Sequence, residues 1–279
     1  MEAFQTAPWG KKRLPAHSLH SSVAARFEGF RCVLGGGVLA RQGAMRPPAR
    51  IRLEIMQDTH SVTAADIART FLASIENRTA FDEPYPHFLI KDVLPSSVAE
   101  ELTSLPFAPP ALDGVSGKRE LHNDQRSYFD VDAMARFPVM RPVAEALQSR
   151  EVASAIQSAF GAPIDDTYLR LEYAVDTDGF WLEPHTDLGV KKFTCLIYLP
   201  ESDEQETLGT DIYRSATEHW GRSPFTRNTA MIFVPSDKTW HGFVKRKITG
   251  LRKSVILNYV TQDWRAREQL SFPDQTVRV

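Results

Sequence analysis

Apolar side chains return at helical spacing over residues 61–75, at Val62, Ile67, Phe71 and Ile75. Thr63 is placed to accept from the first unbonded amides of that helix. A strand entry follows at 85–90 and ends near Leu94-Pro95. Residues 96–105 read as a helix capped by Ser96 or Ser97, and 108–125 as a polar loop rich in proline and glycine. Two further helices are expected at 140–149 and 150–160, with Gly161 closing the second. Beyond Gly161 the period shortens to two. Strands are expected at 167–175, 192–199, 209–214, 230–234, 240–244 and 253–260. Turn-forming text separates them, as in Asp176-Thr177-Asp178-Gly179 and Pro235-Ser236-Asp237. Many short strands with such punctuation predict an antiparallel barrel or jelly roll. The expected fold is mainly β, its first-half helices buttressing a β second half over 162–265.

Residues 1–55 follow neither period. They hold nine Lys or Arg against three acids, with Gly35-Gly36-Gly37 and Pro47-Pro48. The expectation is a disordered extension, or a start assigned too early with Met56 as the true one; an Arg-rich organellar leader is the alternative. Residues 56–279 then form the working domain, with helical support over 56–161. Composition adds little: 42% apolar and 24% charged residues are ordinary globular values, and a net charge of −2 points to no nucleic-acid partner. No apolar run is long enough to span a bilayer. Cys32 and Cys195 are too few for a disulfide framework, so Cys195 is expected as a buried thiol and the cytoplasm as the compartment.

The chemistry concentrates in Trp181-Leu182-Glu183-Pro184-His185-Thr186-Asp187. On a strand, residues i and i+2 share a face, so His185 and Asp187 project together. A His-x-Asp triplet alone says little in a chain with eight histidines. Here it stands before a strand. His241 follows 54 residues after Asp187, and Arg252 with Ser254 opens the last apolar strand. Two histidines and one carboxylate leave three positions open on an octahedral ferrous ion. A nearby buried arginine offers a fork for a carboxylate.

This order, His-x-Asp, a distal His, then Arg-x-Ser, resembles the 2-oxoglutarate- and Fe(II)-dependent oxygenases, in particular the prolyl-hydroxylase-like members. The likeness runs from about Tyr85 to Phe272 and is strongest over 168–260. It implies a double-stranded β-helix core, with Fe(II) on His185, Asp187 and His241. The distal carboxylate of 2-oxoglutarate would meet Arg252, helped by Ser254 and by Tyr198 from the strand that supplies a tyrosine in such members. Dioxygen would be the oxidant, succinate and CO₂ the co-products, and hydroxylation the outcome. Gly209-Thr210-Asp211 departs from the family, where many members have a second glycine at the position of Thr210. The substrate expected is a small molecule or a carrier-bound intermediate; nothing in the sequence indicates an oligomeric state.

Other polar features weigh less. Asn123 and Arg126, in a polar stretch before the β half, are candidate substrate contacts. His17, His20 and His60 read as exposed, His87 as packed, His219 as part of a loop, and 201–206 as a solvated acidic loop. Trp181, Trp220, Trp240 and Trp264 suit a pocket or ordinary packing equally. Two other functions fit the same ligands. One is a non-oxidative cupin-like isomerase or binding module, which has no need of Arg252. The other is a zinc hydrolase, which would need a general base such as Glu183 at the metal.

Overall fold

The structure, a computed structural model, describes residues 61–112, 117, 126–187 and 189–279. The expected extension over 1–55, most of the 108–125 loop, and Asn123 lie outside the described residues.

Helix α1 (Ala64–Glu76) begins at a reciprocal capping box. Thr63 accepts from the Asp66 amide, and the Asp66 carboxylate accepts from the Thr63 amide. Strands β1 (Thr79–Phe81) and β2 (His87–Lys91) precede α2 (Ser96–Thr103). The expectation that Ser96 or Ser97 caps α2 fails. Pro95 holds the cap position without any side-chain bond, and its carbonyl accepts from Val98 and Ala99 instead. After β3 (Ser127–Tyr128) comes an unanticipated helix, α3 (Val131–Arg136), too short to show a period and started by Asp130 accepting from the Ala133 amide. Helices α4 (Met140–Gln148) and α5 (Arg150–Phe160) follow, and Gly161 ends α5 at a left-handed φ of 67°.

The remaining strands are β4 (Tyr168–Asp176), β5 (Leu182–His185), β6 (Lys191–Tyr198), β7 (Asp211–Tyr213), β8 (His219–Arg222), β9 (Thr229–Phe233), β10 (His241–Phe243) and β11 (Arg252–Val260). One sheet runs β1-β2-β9-β6-β11-β4-β3 and the other β5-β10-β7-β8, with every pairing antiparallel. From β4 to β11 the chain changes sheet at every step except the β7–β8 hairpin. That alternation is the winding of a double-stranded β-helix. Two expectations are corrected here. His219 lies on β8, where its Nε2 meets Asp211 Oδ1 at 3.0 Å, rather than in a loop. The acidic 201–206 segment is not simply solvated: Asp203–Leu208 winds into a 3₁₀ turn whose buried Gln205 donates to the Thr249 and Leu251 carbonyls.

Strand parity sorts the large sheet into two environments. Leu169, Leu171, Tyr173, Phe193, Cys195, Ile197, Val255, Leu257 and Tyr259 belong to one apolar cluster with Ile67 and Phe71 of α1, Val143 of α4 and Ile156 of α5. The alternate positions, among them Arg170, Glu172, Thr194, Tyr198, Arg252, Ser254 and Asn258, line a cavity on the opposite face. The helices therefore seal one face of the sheet and leave the other for chemistry. Phe71 is fully buried in that seal. Phe71→Ala is expected to cost about 3–5 kcal/mol in urea unfolding, through lost burial and an unfilled cavity; a loss below about 1 kcal/mol would show that the helical layer contributes little.

Candidate functional site

His185 ends β5 and His241 opens β10, directly opposite each other in the register of that antiparallel pair. Their rings are 4.4 Å apart between centroids. Asp187 lies two residues past the end of β5, off the strand on which the sequence suggested it. One ligand atom from each of the three residues lies within 4.8 Å of the others. His185 Nδ1 sits 2.9 Å from the Glu183 carbonyl and His241 Nδ1 sits 2.9 Å from the Thr239 carbonyl. A carbonyl can only accept, so each Nδ1 carries a proton, and in the neutral ring Nε2 is the nitrogen with the lone pair. This is the tautomer a metal needs, and backbone positions two residues upstream hold it.

The electrostatics agree with that donor set. Burial, with His185 beside it, lowers the pKa of His241 to about 4, so its imidazole is neutral at neutral pH. Burial opposes ionisation of Asp187, but the Lys191 ammonium, His241 and two hydrogen bonds outweigh it and hold the carboxyl below its usual range. Lys191 Nζ donates to Asp187 Oδ1 at 2.5 Å and Thr194 Oγ1 to Oδ2 at 2.7 Å. The neutral His241 imidazole and the ionised Asp187 carboxylate suit a divalent cation.

All three residues line one cavity of about 500 Å³. On β11 the side chains of Arg252, Ser254, Ile256 and Asn258 follow one another along its wall, spanning roughly 20 Å of strand. At one end Arg252, 5% exposed, donates from Nε to the Leu208 carbonyl and from Nη1 to Asp176 Oδ2. Its guanidinium lies 5.1 Å from the Phe225 ring and 4.6 Å from the Phe243 ring. Among the described residues three of its five N–H bonds have no acceptor, so the fork is partly open to a ligand. Ser254 stands opposite Tyr198 in register, and both line the cavity. The Tyr198 hydroxyl is shared with Thr210 (2.9 Å) and Ser223 (2.7 Å), and burial raises its pKa.

At the other end stands a polar group that the sequence did not single out. Arg170 donates to Gln269, Asn258 and Glu172, and Asn258 donates to Thr194. A hydrogen-bonded row thus crosses three neighbouring strands to Asp187. Of the candidate substrate contacts, Arg126 lines this end and pairs with Glu172. Glu183, the base a hydrolase would need, supplies a backbone carbonyl to His185 and does not line the cavity.

No protein-family model matches the chain, and no curated protein matches it in sequence. Among solved structures it is similar to a prolyl 4-hydroxylase from Phytophthora capsici, at 12% identity and a TM-score of 0.49 over 77% of this chain and 70% of that one. A Pseudomonas putida prolyl-4-hydroxylase is similar at 12% identity and 0.45, over 70% and 93%. The viral collagen prolyl hydroxylase of Paramecium bursaria Chlorella virus-1, in its 2OG complex, is similar at 14% identity and 0.43, over 63% and 96%.

Proposed function

We propose that this chain is an Fe(II)- and 2-oxoglutarate-dependent dioxygenase that hydroxylates a small or carrier-bound molecule, with residues 56–279 as its catalytic unit. The observation that carries the reading is the pairing, in one cavity, of three convergent ligand atoms with a partly open buried arginine. His185 and His241 would hold the metal through Nε2, and Asp187 through a carboxylate oxygen. The bound iron, with dioxygen and the keto acid, supplies the oxidising chemistry that converts 2-oxoglutarate to succinate and CO₂ while one oxygen atom enters a C–H bond of the substrate.

The chain's own share is orientation and exclusion of water. Arg252 offers its spare N–H bonds to the distal carboxylate, which fixes the reach of the keto acid end toward the ligands. Tyr198 and Ser254 flank that carboxylate, while Leu196, Ile256 and Phe243 make the walls between the two ends apolar. The zinc hydrolase reading loses support because Glu183 is not among the residues that line the cavity. The non-oxidative reading gains one observation: Asp176 already neutralises part of the Arg252 charge. An anaerobic metal analysis followed by a succinate-formation assay separates the two. Dependence of succinate on added Fe(II), 2-oxoglutarate and O₂ is the expected result; a protein that retains metal but never consumes 2-oxoglutarate sinks the proposal.

Lys191 provides a narrower check. Its ammonium occupies one oxygen of Asp187 and, as a like charge partly screened by solvent, opposes a dication at the same carboxylate. Lys191→Met is therefore expected to tighten Fe(II) binding about tenfold in chelator competition. Weaker binding in that variant would mean that Lys191 positions the carboxylate rather than competing for it.

A further inference from the structure

Two buried arginines mark the two ends of the cavity, and they are built alike. Arg252 sits between the rings of Phe225 and Phe243 with Asp176 as its acidic partner. Arg170, 2% exposed, sits between the rings of Tyr128 (4.9 Å) and Trp264 (4.8 Å) with Glu172 as its acidic partner. Both belong to one pair of neighbouring strands: Asp176 faces Arg252 and Arg170 faces Asn258, six residues along. The metal-ligand cluster lies nearer the Arg170 end, since Asn258 donates to Thr194 and Thr194 to Asp187.

The cosubstrate assigned above needs only one of these ends. At the other, Arg170 uses three N–H bonds, on Gln269, Asn258 and Glu172, and among the described residues one on Nη1 and one on Nη2 have no acceptor. Trp264 lines the same end, and its Nε1–H is buried with no hydrogen-bond partner among the described residues. Buried donors left without acceptors are costly, and here they come from two residues beside one cavity. Glu172 accepts from Arg126 as well as Arg170. The spare capacity at this end is thus in donors, which suits an anion.

We propose that the Arg170–Trp264 end is the seat of the primary substrate and that it takes a carboxylate, making the substrate a small carboxylic acid. Arg170, Asn258 and Thr194 stand side by side on three adjacent strands, so the seat and the strand that supports Asp187 are roughly 10 Å apart. That span is a short carbon chain, and it sets the oxidised carbon within a few bonds of the carboxylate. The proposal rests on the dioxygenase reading only for which end the cosubstrate takes.

The test uses the full chain loaded with Fe(II) and 2-oxoglutarate without oxygen. Each small acid of a panel, amino and hydroxy acids included, is titrated beside its own primary amide, with tryptophan fluorescence and thermal shift as readouts. At least one acid is expected to bind with its amide at least tenfold weaker. Trp264→Phe keeps the ring and removes the donor. It should weaken that acid about tenfold while 2-oxoglutarate affinity moves less than twofold. Arg170→Met, checked for folding by circular dichroism, should abolish the acid–amide difference. The proposal is overturned if no acid binds, if amides bind as well as acids, or if Trp264→Phe weakens 2-oxoglutarate instead. Acid binding with the same selectivity by a protein that never consumes 2-oxoglutarate would remove the dioxygenase reading and leave this seat standing.

Discussion

His185→Ala is expected to lower Fe(II) affinity by at least 100-fold and to take succinate formation below detection. Changes to groups that merely support a ligand already cost about 10–100-fold in such sites, and this change removes the ligand itself. His185 is half-buried and, among the described residues, its one hydrogen bond runs to the Glu183 carbonyl, so the metal-free fold has little to lose. Unfolding of metal-free protein should move by about 1 kcal/mol or less. The measurement is chelator competition beside thermal unfolding of wild type and variant. Full metal retention by the alanine variant would remove His185 from the ligand set. Loss of the fold in metal-free protein would instead give His185 a structural role.

Arg252→Ala carries the second large effect and splits into two readouts. Two charge-assisted hydrogen bonds to a carboxylate, at about 1.5–3 kcal/mol each, predict a rise of 100-fold or more in the KM for 2-oxoglutarate. The same substitution leaves Asp176 buried opposite a methyl group, and breaking a buried ion pair from one side costs about 3–5 kcal/mol. A double variant, Arg252→Ala with Asp176→Asn, removes the carboxylate charge as well. It should recover much of the stability and none of the affinity. If the folded double variant binds 2-oxoglutarate like wild type, the clamp assignment fails.

The parts of this molecule readable in advance are those where one residue's neighbours along the chain decide its environment. Helix α1 carries its cap and its apolar stripe within fourteen residues, and β4, β6 and β11 are long enough to show a period of two. His185, Asp187, His241 and Arg252 stood out through order and spacing. Helix α3 and strands β5 and β8 did not, since four to six residues cannot display a repeat. The Arg170 end was hidden for another reason. In β4, Leu169, Leu171 and Tyr173 alternate with Arg170 and Glu172, which reads as a strand with one face in water. A second sheet roofs that face, and the charges are buried at 2% and 1% exposure. The Arg252–Asp176 pair was equally hidden, because it depends on the register of β4 against β11, strands far apart in sequence.

His185 and His241 meet across the β5–β10 register although 56 residues separate them in the chain. Two strands of the large sheet and the β7–β8 hairpin must be laid down before these histidines can face each other. A chain leaving the ribosome therefore exposes His185 and Asp187 well before it has a third donor to offer, and a two-donor fragment grips a cation poorly. On the proposed reading, metal capture would be a late event that reports closure of the barrel. Such an ion would tie an early strand to a late one and act as a latch, its binding energy spent on keeping the finished fold shut.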